Sequence, residues 1–130
     1  MIGLDTGAVM DIVKGSISLK KKIEDINEPL SSTIMNYQEI MFGFDFSKDN
    51  HLEEEKIYDE FFDSIHLISF TRESSKKAAR LFKAFQQNGK DIGKFDCIIA
   101  GILLENGINK IITKNARHFE RIKGIEVISY

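Results

Sequence analysis

The apolar positions fall into short blocks with two different periods. Met1-Ile2-Gly3-Leu4 is a brief apolar run that stops at Asp5, the pattern of a buried strand. Ala8, Val9, Ile12 and Val13 then recur at helical spacing, and Gly15 can end that helix. Leu19, Ile23 and Ile26 stripe a second amphipathic helix over Ser18 to Ile26, closed off by Pro29. Leu30 to Met35 predicts a strand, and Asn36 opens a helix carrying Ile40, Met41 and Phe42. Leu52, Tyr58, Phe61, Phe62 and Ile65 mark a longer helix, and His66 to Phe70 a third strand. Thr71 caps the next helix, whose buried stripe is Ala78, Leu81, Phe82 and Phe85, and Gly89 ends it. Ile92 to Asn106 reads as a strongly apolar helix stopped by Gly107. Lys110 to Thr113 is a fourth strand, Asn115 begins a short helix, and Ile125 to Ile128 is a fifth strand.

Strands alternating with helices predict the α/β class: a parallel sheet of five strands covered on both faces, with right-handed connections. In such sheets ligands bind beyond the carboxyl ends of the strands, which singles out the acids found there. Composition adds limits. With 130 residues, 42% of them hydrophobic, and one proline, the chain suits a single domain over residues 1–130. No apolar run approaches the roughly 20 residues that cross a bilayer. The start of the chain lacks the basic and long apolar regions of a signal peptide. A lone cysteine, Cys97, excludes an intramolecular disulfide. The expectation is a soluble, cytoplasmic protein.

Net charge is −2, so no global field announces a nucleic-acid partner. The charge is uneven, however. Asp45 to Asp63 holds eight acids against two lysines, whereas Gly89 to the end holds seven bases against five acids. Two solvated faces explain this, as does a weakly basic face for phosphates beside an acidic one.

Four residues are expected at one edge of the sheet. Asp5 ends the first strand, Glu39 lies in the first turn of the helix after the second, Asp96 lies early in the apolar helix, and Asn115 follows the fourth strand. Three carboxylates crowded together repel one another unless protonated or neutralised by a cation. Oxygen donors with few nitrogens or sulfurs suit Mg²⁺ or Mn²⁺, which can bind a phosphate oxygen and activate water. Each residue also has a structural explanation. Asp5 and Asn115 suit helix N-caps, and Asn36-Tyr37-Gln38-Glu39 fits a capping box. Asp96, between Phe95 and Cys97-Ile98-Ile99-Ala100, needs a partner for its charge. Cys97 reads as a buried small hydrophobe. His51, His66 and His118 lack metal-ligand spacing; His51 and His66 read as incidental, and a supporting contact to RNA is the lesser reading of His118. The tripeptide Asp5-Thr6-Gly7 also occurs in aspartic proteases, but here it lies between a strand and a helix and has no second copy. Phe42-Gly43-Phe44-Asp45-Phe46 suits either core packing or an exposed interaction patch.

Taken together, the chain resembles the PIN-domain family, and within it the VapC-type toxins. The resemblance rests on Leu4-Asp5-Thr6, Tyr37-Gln38-Glu39-Ile40 with Phe42-Gly43, Gly89 with Ile92-Gly93 leading to Asp96-Cys97-Ile98-Ile99-Ala100, and Thr113-Lys114-Asn115 with Phe119, Arg121, Ile122 and Gly124 behind. It implies a three-layer α/β/α sandwich with a mostly parallel sheet. It also implies a Mg²⁺- or Mn²⁺-dependent endoribonuclease, a homodimer and a cognate antitoxin protein. Asp5, Glu39 and Asp96 match the family's acids, with Asp5 and Asp96 holding metal. Gly7 replaces a usual asparagine, Asn115 stands at a fourth acidic position, and His118 stands near it where an acid is frequent. These changes point to one firmly held cation.

The expected reaction is hydrolysis of an RNA phosphodiester, with Glu39 orienting or deprotonating the attacking water. Thr6, Thr113 and Asn115 support the site, and Lys90, Lys94, Lys114 and Arg117 are candidate phosphate contacts. A toxin and a housekeeping RNA-processing nuclease both fit. So does a catalytically weakened PIN-like binding module. Phosphoryl transfer of the haloacid-dehalogenase kind expects a second acid two residues after the first, where Gly7 stands.

Overall fold

A computed structural model of the chain describes residues 1–89 and 92–130. The chain runs through β1 (Ile2–Leu4), α1 (Thr6–Val13), α2 (Ile17–Ile26), β2 (Leu30–Thr33), α3 (Ile34–Phe42) and α4 (Asp49–Asp63). It continues through β3 (His66–Ile68), α5 (Arg72–Gln87), α6 (Lys94–Glu105), β4 (Lys110–Thr113), α7 (Ala116–Phe119) and β5 (Glu126–Ser129). The strands form one sheet in the order β3-β2-β1-β4-β5, and all four pairings are parallel. At the centre Gly3 pairs with Ser31 on one side and Ile111 on the other.

The alternation of side chains along each strand sorts the core into two layers. Ile2, Leu4 and Ile112 pack with Ala8 and Val9 of α1, Leu19 of α2, Ile40 of α3 and Phe62 of α4. On the other face Ile111 packs with Phe85 of α5, Ile99, Ala100 and Leu103 of α6, and Phe119 of α7. The architecture is thus the expected three-layer α/β/α sandwich. The second layer is tight: a Cβ on Gly101 would lie 2.8 Å from the Ala78 backbone nitrogen and 2.9 Å from the Ser74 carbonyl oxygen. The absence of a side chain there lets α5 and α6 touch backbone to backbone.

The largest departure from the expected elements follows β2. Ile34 and Met35, read as strand because they are apolar, form the first turn of α3. A capping box explains the early start. Thr33 Oγ1 accepts from the Asn36 backbone N–H at 3.2 Å, and the Thr33 backbone N–H donates to Asn36 Oδ1 at 3.1 Å. Asn36 therefore does not open the helix, and Glu39 lies in its second turn rather than its first. The Asn36–Glu39 capping box is thereby corrected to Thr33–Asn36. Strand β3 ends at Ile68, two residues before its expected end, as the chain turns towards the Thr71 cap of α5. Among the described residues no helix is long and apolar enough to cross a membrane.

Candidate active site

The sheet order makes the site. The chain winds outward from β1 to β2 and β3, then returns to β4 on the other side of β1. A crevice opens at the carboxyl ends where the winding reverses. Asp5 leaves β1 at this point and caps α1, its Oδ1 accepting from the Ala8 backbone N–H at 2.8 Å. Its Oδ2 accepts from the Thr113 hydroxyl at the end of β4. That hydroxyl also accepts from the Asn115 backbone N–H at 2.9 Å. Asp5 is thus held by α1 and by the end of β4, and its capping reading holds.

Glu39 reaches the crevice from α3 and is fixed through a buried polar chain. Asn36, fully buried, accepts from the Thr33 hydroxyl at 2.6 Å and donates through Nδ2 to Thr6 Oγ1 at 3.1 Å. Thr6 in turn lies near Glu39 and holds its carboxyl down. Asn36 is therefore a site-organising residue that sequence reasoning assigned to a cap. The signal available was Thr33 three residues before Asn36.

Asp96 lies in the first turn of α6, where the amino end of the helix favours a carboxylate. Its partner is His118 of α7, whose Nδ1 lies 2.9 Å from Asp96 Oδ2. The histidine therefore touches an acid of the site, a contact the sequence did not reveal. Asn115 occupies the N-cap position of α7 without a side-chain capping bond.

The basic candidates separate. Lys114, whose charge acts on Asp5, pairs with Asp11 Oδ2 at 2.6 Å, the same oxygen that accepts from the Tyr130 hydroxyl at 2.8 Å. A recess is bordered by Lys114, Asn115, Arg117 and His118, the last of which pairs with Asp96. Lys94 instead rests against α5, its ammonium 5.7 Å from the centre of the Phe82 ring. Lys90 lies outside the described residues. Elsewhere, His51 Nδ1 accepts from the Asp45 backbone N–H, which explains it structurally. Phe44 packs into the core beside Tyr58, as core packing expects, whereas Phe42 and Phe46 are exposed. Cys97 is buried, and burial pushes its thiol upward, away from reactive thiolate.

The three acids share an electrostatic signature. Burial pushes all three carboxyls above their ordinary range. Hydrogen bonds from Thr113 and Ala8 pull Asp5 back, Thr6 pulls Glu39 back, and His118 pulls Asp96 back. Asp96 and Asp5 each raise Glu39 further, and Asp5 raises Asp96. The three feel one another's charge. Among the described residues, no three His, Cys, Asp or Glu side chains are drawn together closely enough to chelate an ion as they stand. The donor set nevertheless fits a hard divalent cation: oxygen only, partly desolvated, and mutually repelling until neutralised.

Comparison with known proteins agrees with this architecture. Chains in three crystal structures superpose over nearly their full lengths. They come from VapBC2 of Rickettsia felis bound to a promoter DNA fragment (TM-score 0.86, 20% identity, 100% of this chain and 99% of that one), DNA-bound VapBC of Salmonella typhimurium (0.83, 18%, 98% and 96%) and VapBC-1 of nontypeable Haemophilus influenzae (0.83, 20%, 99% and 98%). At these identities the likeness is one of fold. No curated protein sequence matches the chain significantly. The sequence family described as the PIN domain matches residues 2–125, which include Asp5, Glu39 and Asp96, and this chain belongs to the PIN-domain family.

Proposed function

We propose that this chain is a Mg²⁺- or Mn²⁺-dependent endoribonuclease that hydrolyses RNA phosphodiester bonds, and that it is the toxin of a toxin–antitoxin pair. The observation that carries the reading is the mutual repulsion of the three acids: Asp5 and Asp96 both raise Glu39, and Asp5 raises Asp96. Each is desolvated, and each is raised by burial. Three such groups are expensive for a fold to keep unless a cation and a phosphate use them. PIN-family membership and the VapBC-like fold support the same reading.

Asp5 and Asp96 would hold the cation. When bound, that cation supplies charge neutralisation for the phosphate and a more acidic water. Thr113 fixes the rotamer of Asp5 through its hydroxyl. Thr6, itself positioned by Asn36, orients Glu39. Glu39 accepts the proton of the attacking water, a task suited to a carboxylate whose affinity for protons is raised. Asn115 offers a neutral amide at the edge of the recess, and Lys114 and Arg117 meet phosphate oxygens. The protein acts as a homodimer in the cytoplasm and is held in check by a cognate antitoxin.

The test is RNA cleavage with Mn²⁺ and with EDTA, in the wild type and in Asp5→Asn and Asp96→Asn. Cation-dependent cleavage abolished by both substitutions in folded protein is expected. Undiminished cleavage in both refutes the proposal. One observation favours a second reading, a binding module that has lost catalysis: His118 already occupies Asp96. Calorimetry with Mn²⁺ decides, since a module of that kind binds no cation in the millimolar range.

A further inference from the structure

Lys114 has a specific seat. It follows Thr113, the residue bonded to Asp5, and its stem crosses the first turn of α1. A Cβ built on Gly7 would lie 3.8 Å from Lys114 Cε and 3.6 Å from Asp5 Oδ1. The space a side chain on Gly7 would enter is therefore bounded by the lysine stem and the Asp5 carboxylate. A methyl group fits that space at van der Waals contact; a longer side chain directed there collides with the stem. One turn further along α1, Asp11 takes the ammonium at 2.6 Å and is itself held by Tyr130. An ammonium has three donors, so the contact with Asp11 leaves two for a ligand. The lysine side chain remains half-exposed, and the recess that continues along Asn115, Arg117 and His118 starts at it.

Within the ribonuclease reading, on which this rests, we infer that Lys114, seated over Gly7 and tethered to Asp11, is the residue that receives a substrate phosphate beside Asp5, and that Gly7 is the opening that admits it. The ligand class is the backbone of single-stranded RNA, met by charge and not by base identity. Gly7 and Lys114 then act as one unit, so a change at either has the same consequence.

The experiment measures binding of a fluorescein-labelled single-stranded RNA by anisotropy in EDTA, across a salt series, with cleavage in Mn²⁺ followed separately. Lys114→Met keeps the stem and removes the charge. It is expected to make the salt dependence shallower by about 0.7 in log–log slope, and to weaken binding about fivefold at 0.1 M salt. Lys114→Arg restores most of both. Gly7→Asn reproduces the Lys114→Met result, and the double variant Gly7→Asn/Lys114→Met binds no more weakly than Lys114→Met alone. Lys20→Met, an exposed lysine on α2, serves as the control for loss of any positive charge. Wild-type affinity and slope in Lys114→Met overturn the inference while leaving the ribonuclease reading intact, provided the wild type binds and cleaves. Additive losses in the double variant also overturn it. A wild type that neither binds nor cleaves RNA overturns both.

Discussion

Asp5 serves two tasks, and two substitutions pull them apart. Asp5→Asn keeps an oxygen that accepts from the Ala8 N–H, so the cap of α1 survives. Its amide nitrogen donates to Thr113 Oγ1 but cannot accept the Thr113 hydroxyl proton, so that proton loses its acceptor in either variant. Asp5→Ala removes the cap, which costs about 1 kcal/mol. It also forgoes the hydrogen bond that the Asn amide makes to Thr113, worth about 0.5–1.5 kcal/mol. Both variants shed the same desolvated charge, so that effect cancels between them. Asp5→Ala is therefore expected to be about 1.5–2.5 kcal/mol less stable than Asp5→Asn. With about 2.1 cal/mol/K of unfolding entropy per residue over 130 residues, this separates their melting temperatures by about 5–9 °C. Differential scanning calorimetry without divalent ions measures the gap. Cleavage should fall by more than about a hundredfold in both, since loss of an outer supporting group alone typically costs 10–100-fold at metal sites. Equal melting temperatures refute the capping geometry. Retained cleavage in Asp5→Asn refutes the assignment of Asp5 to the reaction.

Further expectations concern packing, pH and the cation. Gly101→Ala forces a methyl onto the backbone of Ser74 and Ala78 and should cost about 1–3 kcal/mol, read by urea denaturation; an unchanged midpoint contradicts the close α5–α6 contact. Glu39 has its carboxyl raised by burial, so its contribution to stability is present below its ordinary value of 4.5 and is lost as pH rises through the higher folded value. Glu39→Gln without divalent ions should thus be the more stable protein at neutral pH, with the difference closing below about pH 4.5; a gap that widens in acid has the wrong sign. His118→Ala frees Asp96 Oδ2 and should tighten Mn²⁺ binding in calorimetry, and weaker or unaltered binding means that His118 does not compete for Asp96.

Much of the fold was legible because an α/β/α sandwich writes its layers into local periodicity. Lys110 to Thr113 was read with the bounds the structure has, since Ile111 and Ile112 are both fully buried and flanked by polar ends. The boundary after β2 was not legible. Leu30 to Met35 is apolar enough to be all strand, and the decision between strand and helix rests on one side-chain exchange, Thr33 with Asn36. Periodicity does not register such an exchange. The places of the candidate acids in the fold were legible for a topological reason: strand ends can be counted, and the carboxyl ends converge. Their partners were not. His118 meets Asp96 and Lys114 meets Asp11 only because α7 folds back towards α6 and β4 lies beside β1. Contacts between residues so distant in sequence leave no trace in spacing.

The bond between Asp5 and Thr113 spans 108 positions of the chain. Strand β4, which carries Thr113, lies against the central strand β1, so the middle of the sheet is completed by one of the last elements made. During synthesis a nascent polypeptide can collect β1, β2, β3 and the helices between them, with Asp5 Oδ1 capping α1, yet Asp5 Oδ2 lacks its Thr113 partner until β4 has been made. The full set of contacts at Asp5 therefore forms only once β4 has docked, and a fragment ending upstream of β4 lacks it.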